Sequence, residues 1–364
     1  MACSAWPVTY AILRTMKLVL RITPQRSTQY ANMAERLAIP ELLASPLGEA
    51  IADAQPIKLG GQAYVLVELK SGQDEATRLA ELATILPRLG ATSESFEYFM
   101  DLPGIEGPLL RPLEPNFTPF VPLEMAEVRR YKGKTNEIFT RVMLNLAIFA
   151  GAYRGEFTGR LRVLDPLAGG GTTLFLALAA GYDACGIELN RQDVETTEVF
   201  VRQYFHSVGI AYKEIDEKGR KAGRRVIFEI GRKGEEKRRL ILVHGETARA
   251  VQHLQDTPGG PHVHAIVGDL PYGIQHFGEI AGLLNTALPA WERLLLPGGT
   301  LALAWNATHI PRSSLVELVE ARTALRVRSD PPYTQLEHTV DRVIKRRDIL
   351  IAVKEREGCP ATED

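Results

Sequence analysis

Short apolar runs alternate with amphipathic stretches from residue 162 to the end of the chain. This alternation is typical of a parallel sheet covered by helices on both faces. The predicted strands are Arg162–Leu164, Asp183–Ile187, Ala265–Val267, Thr300–Trp305 and Asp348–Val353. The predicted helices are Thr172–Ala180, Arg191–Val208, Ile280–Leu295 and Ser314–Glu320. Two further runs, Arg225–Ile230 and Arg239–Val243, alternate around Gly231–Lys237 and predict a β-hairpin.

The N-terminal third shows a different mixture of strand and helix patterns. Its predicted strands are Lys17–Ile22, Tyr64–Leu69 and Ser95–Phe99, and its predicted helices are Ser27–Leu37 and Glu75–Leu89. This mixture indicates a small α+β domain over residues 16–100, of ferredoxin-like type, preceded by an extension over residues 1–15.

Six prolines between residues 101 and 122 separate these two patterns. Prolines at this density disfavour helix interiors and central strands, so we expect an extended linker over residues 101–124. A helix from about Asn136 to Ala150 then opens the second unit, residues 125–355, and residues 356–364 form a tail. The prolines are Pro103, Pro108, Pro112, Pro115, Pro119 and Pro122.

Composition narrows the class of protein. The chain has 364 residues, enough for two domains, and its hydrophobic and charged fractions of 45% and 24% are those of a globular protein. The net charge of -1 means that any nucleic-acid surface must be a local patch. Cys3, Cys185 and Cys359 are too far apart for a disulfide framework or a metal site, which favours the cytoplasm. No apolar run approaches the roughly 20 residues of a membrane span.

The segment Asp165–Thr173 predicts a ligand-binding loop. A strand ends at Asp165, three glycines follow, and a helix begins, so bare backbone N–H groups meet a helix N-terminus. The Gly-Lys-Ser/Thr ending of a nucleotide-binding P-loop is absent, whereas a dinucleotide site remains an alternative. The Asp-Pro opening favours S-adenosylmethionine, and so does Glu188, which ends the next strand and is suited to the ribose hydroxyls. Glu246 follows a later strand and is a candidate for the adenine amino group, or a surface carboxylate.

The segment Asp269–Gly273 predicts the acceptor site. The lone pair of a nucleobase amino group is delocalised, and hydrogen bonds accepted from its N–H groups make the nitrogen a better nucleophile. Asp269 and the carbonyl of Leu270 are suited to accept them, Pro271 stiffens the turn, and Tyr272 can stack on a flipped base. A plain β-turn is the alternative. The loop has no cysteine, so covalent attack on a pyrimidine has no nucleophile there.

Together these motifs resemble the class I methyltransferases that act on nucleobase amino groups, and most of all the tRNA guanine-N2 methyltransferases of the Trm11 type and their THUMP-domain relatives. Asp165–Thr172 matches their cofactor loop, Asp269–Gly273 their acceptor loop, and Tyr131–Asn136 the segment that lines the methionine end of the cofactor. Leu270 stands where proline is commoner, and residues 16–100 contain no identifiable THUMP module.

The resemblance implies a Rossmann-like class I methyltransferase sheet with helices on both faces, S-adenosylmethionine as cofactor and RNA, most of all tRNA, as partner, with DNA as the alternative. It adds two residues before the cofactor loop, and Asp269 itself, to the predicted cofactor site. The implied cofactor residues are Thr135, Asn136, Asp165, Ala168, Gly169, Gly171, Thr172, Glu188, Glu246 and Asp269.

Two basic stretches are candidates for contact with phosphates. Lys218–Arg239 holds ten Lys or Arg against three Glu, and Arg342–Arg347 is a second run. A solvated hairpin face is the alternative. The candidate residues are Arg224, Arg225, Arg232, Lys233, Lys345 and Arg346.

Three functions follow from these motifs. The first is methylation of guanine N2 in tRNA by direct transfer to a flipped base, which Gly273 and the lack of an obvious target-recognition domain favour. The second is N6-adenine methylation of DNA or RNA, for which the same acceptor loop serves. The third is a non-catalytic module that binds S-adenosylmethionine or RNA, against which the intact Asp269 and glycines argue.

Overall fold

The computed structural model describes residues 16–25, 28–72, 74–217, 223–271, 277–340 and 345–356. Two sheets organise these residues, one of five strands in the N-terminal third and one of nine strands in the rest. No helix in these ranges is both long and apolar enough to cross a membrane.

The five-stranded sheet is antiparallel, with strand order β2-β3-β1-β4-β5. Its first six elements run β1-α1-β2-β3-α2-β4 and have the ferredoxin-like order. The strands are β1 (Lys17–Ile22), β2 (Ile51–Leu59), β3 (Gln62–Leu69), β4 (Thr92–Leu102) and β5 (Ile105–Pro112), and the helices are α1 (Thr28–Ala44) and α2 (Glu75–Ile85).

Strand β5 lies inside the predicted linker, so the prediction of an extended linker was wrong over Ile105–Pro112. The physical reason is its position, because β5 is the edge strand and proline is tolerated where one side of the backbone needs no partner. The prediction also omitted β2. That strand is the opposite edge, and most of its side chains are exposed, so it lacks the buried alternation that marks a strand in sequence.

The nine-stranded sheet has the order β13-β14-β12-β11-β6-β7-β10-β9-β8. The five central strands β12, β11, β6, β7 and β10 are parallel to one another. At the two edges, β14 and β13 on one side and β9 and β8 on the other each pair antiparallel with the preceding strand of the sheet. The predicted Rossmann-like sheet and the β9–β10 hairpin are confirmed, and β8 was not predicted. The strands are β6 (Arg162–Asp165), β7 (Asp183–Glu188), β8 (Tyr212–Glu217), β9 (Arg225–Ile230), β10 (Arg238–His244), β11 (Val263–Asp269), β12 (Leu295–Asn306), β13 (Arg326–Val327) and β14 (Arg347–Val353).

Helices cover both faces of this sheet. Val163 and Leu164 are neighbours in β6, yet they belong to two separate apolar clusters, one on each face. One cluster includes residues of α4 and α5, and the other includes residues of α8 and α9. The helices are α3 (Glu124–Val128), α4 (Glu137–Ala150), α5 (Thr172–Ala179), α6 (Arg191–Val208), α7 (Ala250–Leu254), α8 (Phe277–Leu294) and α9 (Arg312–Arg322).

The strand order reverses between β6 and β11, the point at which doubly wound sheets bind ligands. Their carboxyl ends are Asp165 and Asp269, which brings the two predicted loops to one edge.

The small domain packs on α4 of the large one. The buried carboxylate of Glu41 in α1 accepts hydrogen bonds from the N–H groups of Gly90 and Ala91 (2.8 and 2.9 Å) and from the Asn145 amide of α4 (2.7 Å). Arg141 of α4 donates to the carbonyl of Arg88 (3.1 Å). Apolar side chains of both domains form one continuous core, so α4 is fixed from both sides.

Candidate functional site

A cleft of 720 Å³ opens at the carboxyl ends of β6, β7 and β11. Most of the predicted cofactor and acceptor residues line it, although they come from segments more than 130 residues apart. The predicted residues on its walls are Thr135, Asp165, Ala168, Gly169, Thr172, Glu188, Glu246, Asp269, Leu270 and Pro271.

A larger cavity of 1040 Å³ lies between the small domain and the start of α4. Its walls include Tyr30, Phe96 and Glu114, but neither Asp269 nor any residue of the predicted cofactor loop Asp165–Thr173, here called the glycine loop. The candidate chemistry therefore belongs to the smaller cleft.

The glycine loop is shaped for close approach of another group. Gly169 and Gly171 have φ values of +48° and +91°, which favour glycine. Gly170 has no room for a side chain, because a Cβ there would lie 2.4 Å from the ring of Tyr131. The Tyr131 hydroxyl is 2.7 Å from Oγ1 of Thr172, the first residue of α5. The ring of Tyr131 therefore covers the loop, and only glycine accommodates it.

Glu188 holds the loop and the end of β7 together. Its Oε2 accepts the N–H of Gly169 (2.8 Å), and its Oε1 accepts the N–H of Asn190 (2.7 Å). A carboxylate oxygen can accept more than one hydrogen bond, so these contacts orient the group without exhausting its acceptor capacity. Glu188 is thus a fixed acceptor on the cleft wall.

Asp165 is a buried acid at the base of the cleft, 4% exposed. Its pKa is raised to about 7, chiefly by burial and to a smaller extent by the nearby carboxylates of Asp269 and Glu188, although hydrogen bonds from Thr173 and from the N–H of Leu167 (3.0 Å) oppose the shift. The surroundings of Asp165 thus disfavour a negative charge on its carboxyl group.

The charge of the cleft is one-sided. Four acidic side chains line it, those of Asp165, Glu188, Glu246 and Asp269, and the wall residues that the structure describes include no Lys or Arg. Their negative charge is partly reduced, because Asp165 has a pKa of about 7 and Asp269 is paired with Arg347 (2.7 Å), which does not line the cleft. Such a surface attracts a ligand with positive charge and repels a polyphosphate.

The acceptor loop is fixed by contacts from three directions. Oδ2 of Asp269 accepts a hydrogen bond from the Thr135 hydroxyl (2.6 Å) and another from Nη2 of Arg347 (2.7 Å). The N–H of Leu270 donates to the carbonyl of Ala304 (2.9 Å), and the Leu270 side chain is buried. Pro271 is exposed at the mouth of the cleft. Tyr272 and Gly273 lie outside the described residues, so the stacking role of Tyr272 stays a prediction.

Two predicted cofactor residues do not line the cleft. Asn136 caps α4, because its side-chain oxygen accepts the N–H of Phe139 (3.1 Å) and its amide donates to Gln25 (3.2 Å). Gly171 forms the turn into α5 and donates its N–H to the carbonyl of Ala168 (2.8 Å). Asn136 and Gly171 therefore have structural roles at the starts of α4 and α5 rather than positions on the cleft wall.

Two of the predicted phosphate-contacting arginines, Arg224 and Arg225, instead pair with glutamates of the protein. Arg225 is 1% exposed, pairs with Glu217 (2.7 Å) and donates to the carbonyl of His253 (3.0 Å), so its predicted role at a phosphate-binding surface was wrong. Arg224 forms a two-pronged ion pair with the buried Glu198 (2.6 and 2.8 Å).

Four other predicted basic residues remain at the surface. Arg232, Lys233, Lys345 and Arg346 are exposed, and Arg346 pairs with Glu337 (2.9 Å).

Arg347 is a site residue whose role the sequence did not reveal. It belongs to the basic run Arg342–Arg347, which in sequence suggests a solvated surface, yet its side chain is 5% exposed and reaches Asp269. No local pattern signals this pairing, because the two residues are 78 positions apart.

No protein-family model matches the chain, and no curated protein sequence matches it. Solved structures with a similar course of the chain include TrmN from Thermus thermophilus (13% identity, 93% of this chain and 99% of that one, TM-score 0.44). A putative rRNA methylase from Clostridium thermocellum is 13% identical over 57% of this chain and 93% of its own, with a TM-score of 0.34.

The 16S rRNA N2 methyltransferase RsmC of T. thermophilus, solved with AdoMet and guanosine, is 16% identical over 84% of this chain, with a TM-score of 0.37. This chain spans 59% of the length of that protein. The strand order itself, rather than these likenesses, defines the α/β fold of the large domain.

Proposed function

We propose that this chain is an S-adenosylmethionine-dependent methyltransferase that acts on the exocyclic amino group of a nucleobase. The observation that carries the proposal is the cleft at the strand-order reversal, with a glycine loop, four carboxylates and no Lys or Arg among its described wall residues. S-adenosylmethionine carries a sulfonium and an ammonium group, so its positive charges complement these carboxylates. Dinucleotides and nucleoside triphosphates carry negative charges that the same walls repel.

The residues present fit that cofactor. The cleft volume of 720 Å³ lies within the range of about 300–1,000 Å³ common for small-molecule sites. Glu188 is held in place to accept the ribose hydroxyls, and Glu246 is a candidate for the adenine amino group. Ala168, Gly169 and Thr172 would line the methionine end beside Asp165.

The acceptor loop supplies the other half of the reaction. When bound, the cofactor provides an electrophilic methyl group whose carbon–sulfur bond breaks, with its electron pair going to sulfur, as the carbon–nitrogen bond forms. Asp269 and the carbonyl of Leu270 would accept hydrogen bonds from the two N–H groups of the acceptor and free the nitrogen lone pair. The product nitrogen then loses one proton, which Asp269 is positioned to take before it passes to water.

For the substrate we propose guanine N2 in tRNA. The support is the resemblance of Asp269–Gly273 to the acceptor loop of the tRNA guanine-N2 enzymes. Contact with RNA would use exposed residues such as Arg232, Lys233 and Lys345, since a chain of net charge -1 offers no general attraction to phosphates.

Substitution of Asp269 tests the division of labour between the two loops. We expect Asp269→Ala to abolish transfer of labelled methyl to bulk tRNA while the Kd for S-adenosylmethionine, measured by calorimetry, changes less than about threefold. Asp53→Ala, at an exposed position on the far edge strand β2, is the matched control and should behave as wild type. Equal loss of binding and transfer in a folded Asp269→Ala protein would contradict the role assigned to Asp269.

A further inference from the structure

We propose that Arg347 is a positioning residue that holds the carboxylate of Asp269 in the orientation needed to receive the acceptor amino group. This inference rests on the proposed function. It begins from the contact between Nη2 of Arg347 and Oδ2 of Asp269 (2.7 Å), which joins the start of β14 to the end of β11 across the intervening strand β12.

Two donors from different parts of the chain contact the same oxygen of Asp269. Thr135, just before α4, donates to Oδ2 at 2.6 Å, and Arg347 donates to it at 2.7 Å. Two donors from separate elements restrain the rotation of the carboxylate about its own axis. In the proposed reaction this restraint would keep the carboxylate in the orientation in which it receives the amino group.

Arg347 is itself held rigidly. Its backbone N–H and carbonyl exchange two hydrogen bonds with His338 (both 2.9 Å), and its guanidinium lies 3.6 Å from the ring centroid of the buried Phe139. Phe139 begins the apolar face of α4, close to Thr135. Phe139, on which Arg347 stacks, and Thr135, which also donates to Asp269, therefore both lie at the N-terminal end of α4.

The identity of the cation matters at such a position. A guanidinium is planar, keeps its charge at any working pH and can stack and donate at once, whereas a lysine ammonium cannot reproduce that geometry. Arg347 does not line the cleft, and it contacts neither the glycine loop nor Glu188 in the described structure. Its loss should therefore affect turnover rather than cofactor binding.

The test compares Arg347→Ala and Arg347→Lys with wild type. We expect kcat for methyl transfer to tRNA to fall about 100-fold in Arg347→Ala, because a misplaced catalytic group costs about that much. The Kd for S-adenosylmethionine and the KM for tRNA should change less than about threefold. Arg347→Lys should recover only part of kcat. Arg328→Ala is the matched control, since Arg328 also pairs with an aspartate (Asp330, 2.7 Å) and stacks on an aromatic ring, away from the cleft.

Chemical rescue separates positioning from a merely structural role. Guanidinium ion added at low, non-denaturing concentration should restore part of kcat in Arg347→Ala, because it can occupy the space over Phe139 and donate to Asp269. Urea, which has the same shape without the charge, should not. Wild-type kcat in Arg347→Ala, or parallel losses of kcat and cofactor affinity without rescue, would overturn the inference.

A second variant covers the case in which Arg347→Ala does not fold. Thr135→Val removes a second donor to Oδ2, and we expect its effect on kcat to be non-additive with that of Arg347→Lys. Additive effects would overturn the inference. The proposed function has its own readout in the same experiment: if wild type transfers no methyl to any nucleic acid, that function fails, whereas an active wild type with unaffected Arg347 variants refutes the positioning role alone.

Discussion

Gly170→Ala is the change for which the structure gives the most direct expectation. A Cβ at position 170 would lie 2.4–2.5 Å from three atoms of the Tyr131 ring, including Cγ at its base. Because contact at the base of the ring cannot be relieved by a small rotation, the whole ring must move. Its hydroxyl then leaves Thr172, to which it is now hydrogen-bonded at 2.7 Å.

The size of the effect follows from these contacts. Overpacking by one methyl group costs about 1–3 kcal/mol, and the lost hydrogen bond adds about 0.5–1.5 kcal/mol. We expect the free energy of unfolding to fall by about 2–4 kcal/mol. The displaced ring should also enter the cleft and weaken S-adenosylmethionine binding at least about tenfold, since 1.4 kcal/mol corresponds to a factor of ten.

A double-mutant cycle that combines Gly170→Ala with Tyr131→Ala measures how much of the lost stability and binding comes from the contact with the Tyr131 ring. Chemical denaturation gives the unfolding free energies and calorimetry the Kd values. Gly155→Ala is the matched control, because a Cβ at Gly155 meets no heavy atom within 4 Å. The penalty of Gly170→Ala should largely disappear when Tyr131 is alanine. An unchanged penalty in that background, or none in wild type, would refute the reasoning.

Two further predictions concern charged side chains. As pH rises from about 4 through 7, the unliganded protein should lose stability relative to an Asp165→Asn variant in chemical denaturation. Burial raises the folded-state pKa of Asp165 to about 7, so the folded state retains a proton that the unfolded state releases; a steeper loss in the variant would contradict this. Arg225→Met should cost about 3 kcal/mol of stability, because the carbonyls of His253 and Gln255 lose the buried guanidinium that donates to them (3.0 Å each). Arg232→Ala with Lys233→Ala should leave denaturation unchanged and weaken tRNA binding, and the reverse pattern would refute both assignments.

The fold of the large domain could be predicted because its signals are local. Buried runs such as Asp183–Ile187 mark parallel strands, and amphipathic stretches such as Arg191–Val208 mark the helices between them. The carboxyl ends of parallel strands meet at one edge, so the sequence alone assigns Asp165 and Asp269 to one site, and both line the same cleft.

The remaining features depend on contacts that no local pattern encodes. Arg347 and Arg225 lie in basic runs, which are usually solvated. Their burial depends on distant partners, Asp269 for one and the carbonyl of His253 for the other. Strand β5 depends on its place at the edge of a sheet, which makes its prolines acceptable. The burial of Arg347 and Arg225 and the position of β5 are therefore set by which distant segments they contact, and residue type alone does not predict them.

Identification of the methylated nucleoside tests the central claim most directly. The purified chain is incubated with methyl-labelled S-adenosylmethionine and separate pools of tRNA, rRNA and DNA, and the labelled nucleoside is identified by mass spectrometry. Wild type should produce N2-methylguanosine in tRNA, and Asp269→Ala should produce none. Label on N6 of adenine would refute the choice of guanine, and label on a ring carbon or a ribose oxygen, or no transfer to any pool, would contradict the account of the site.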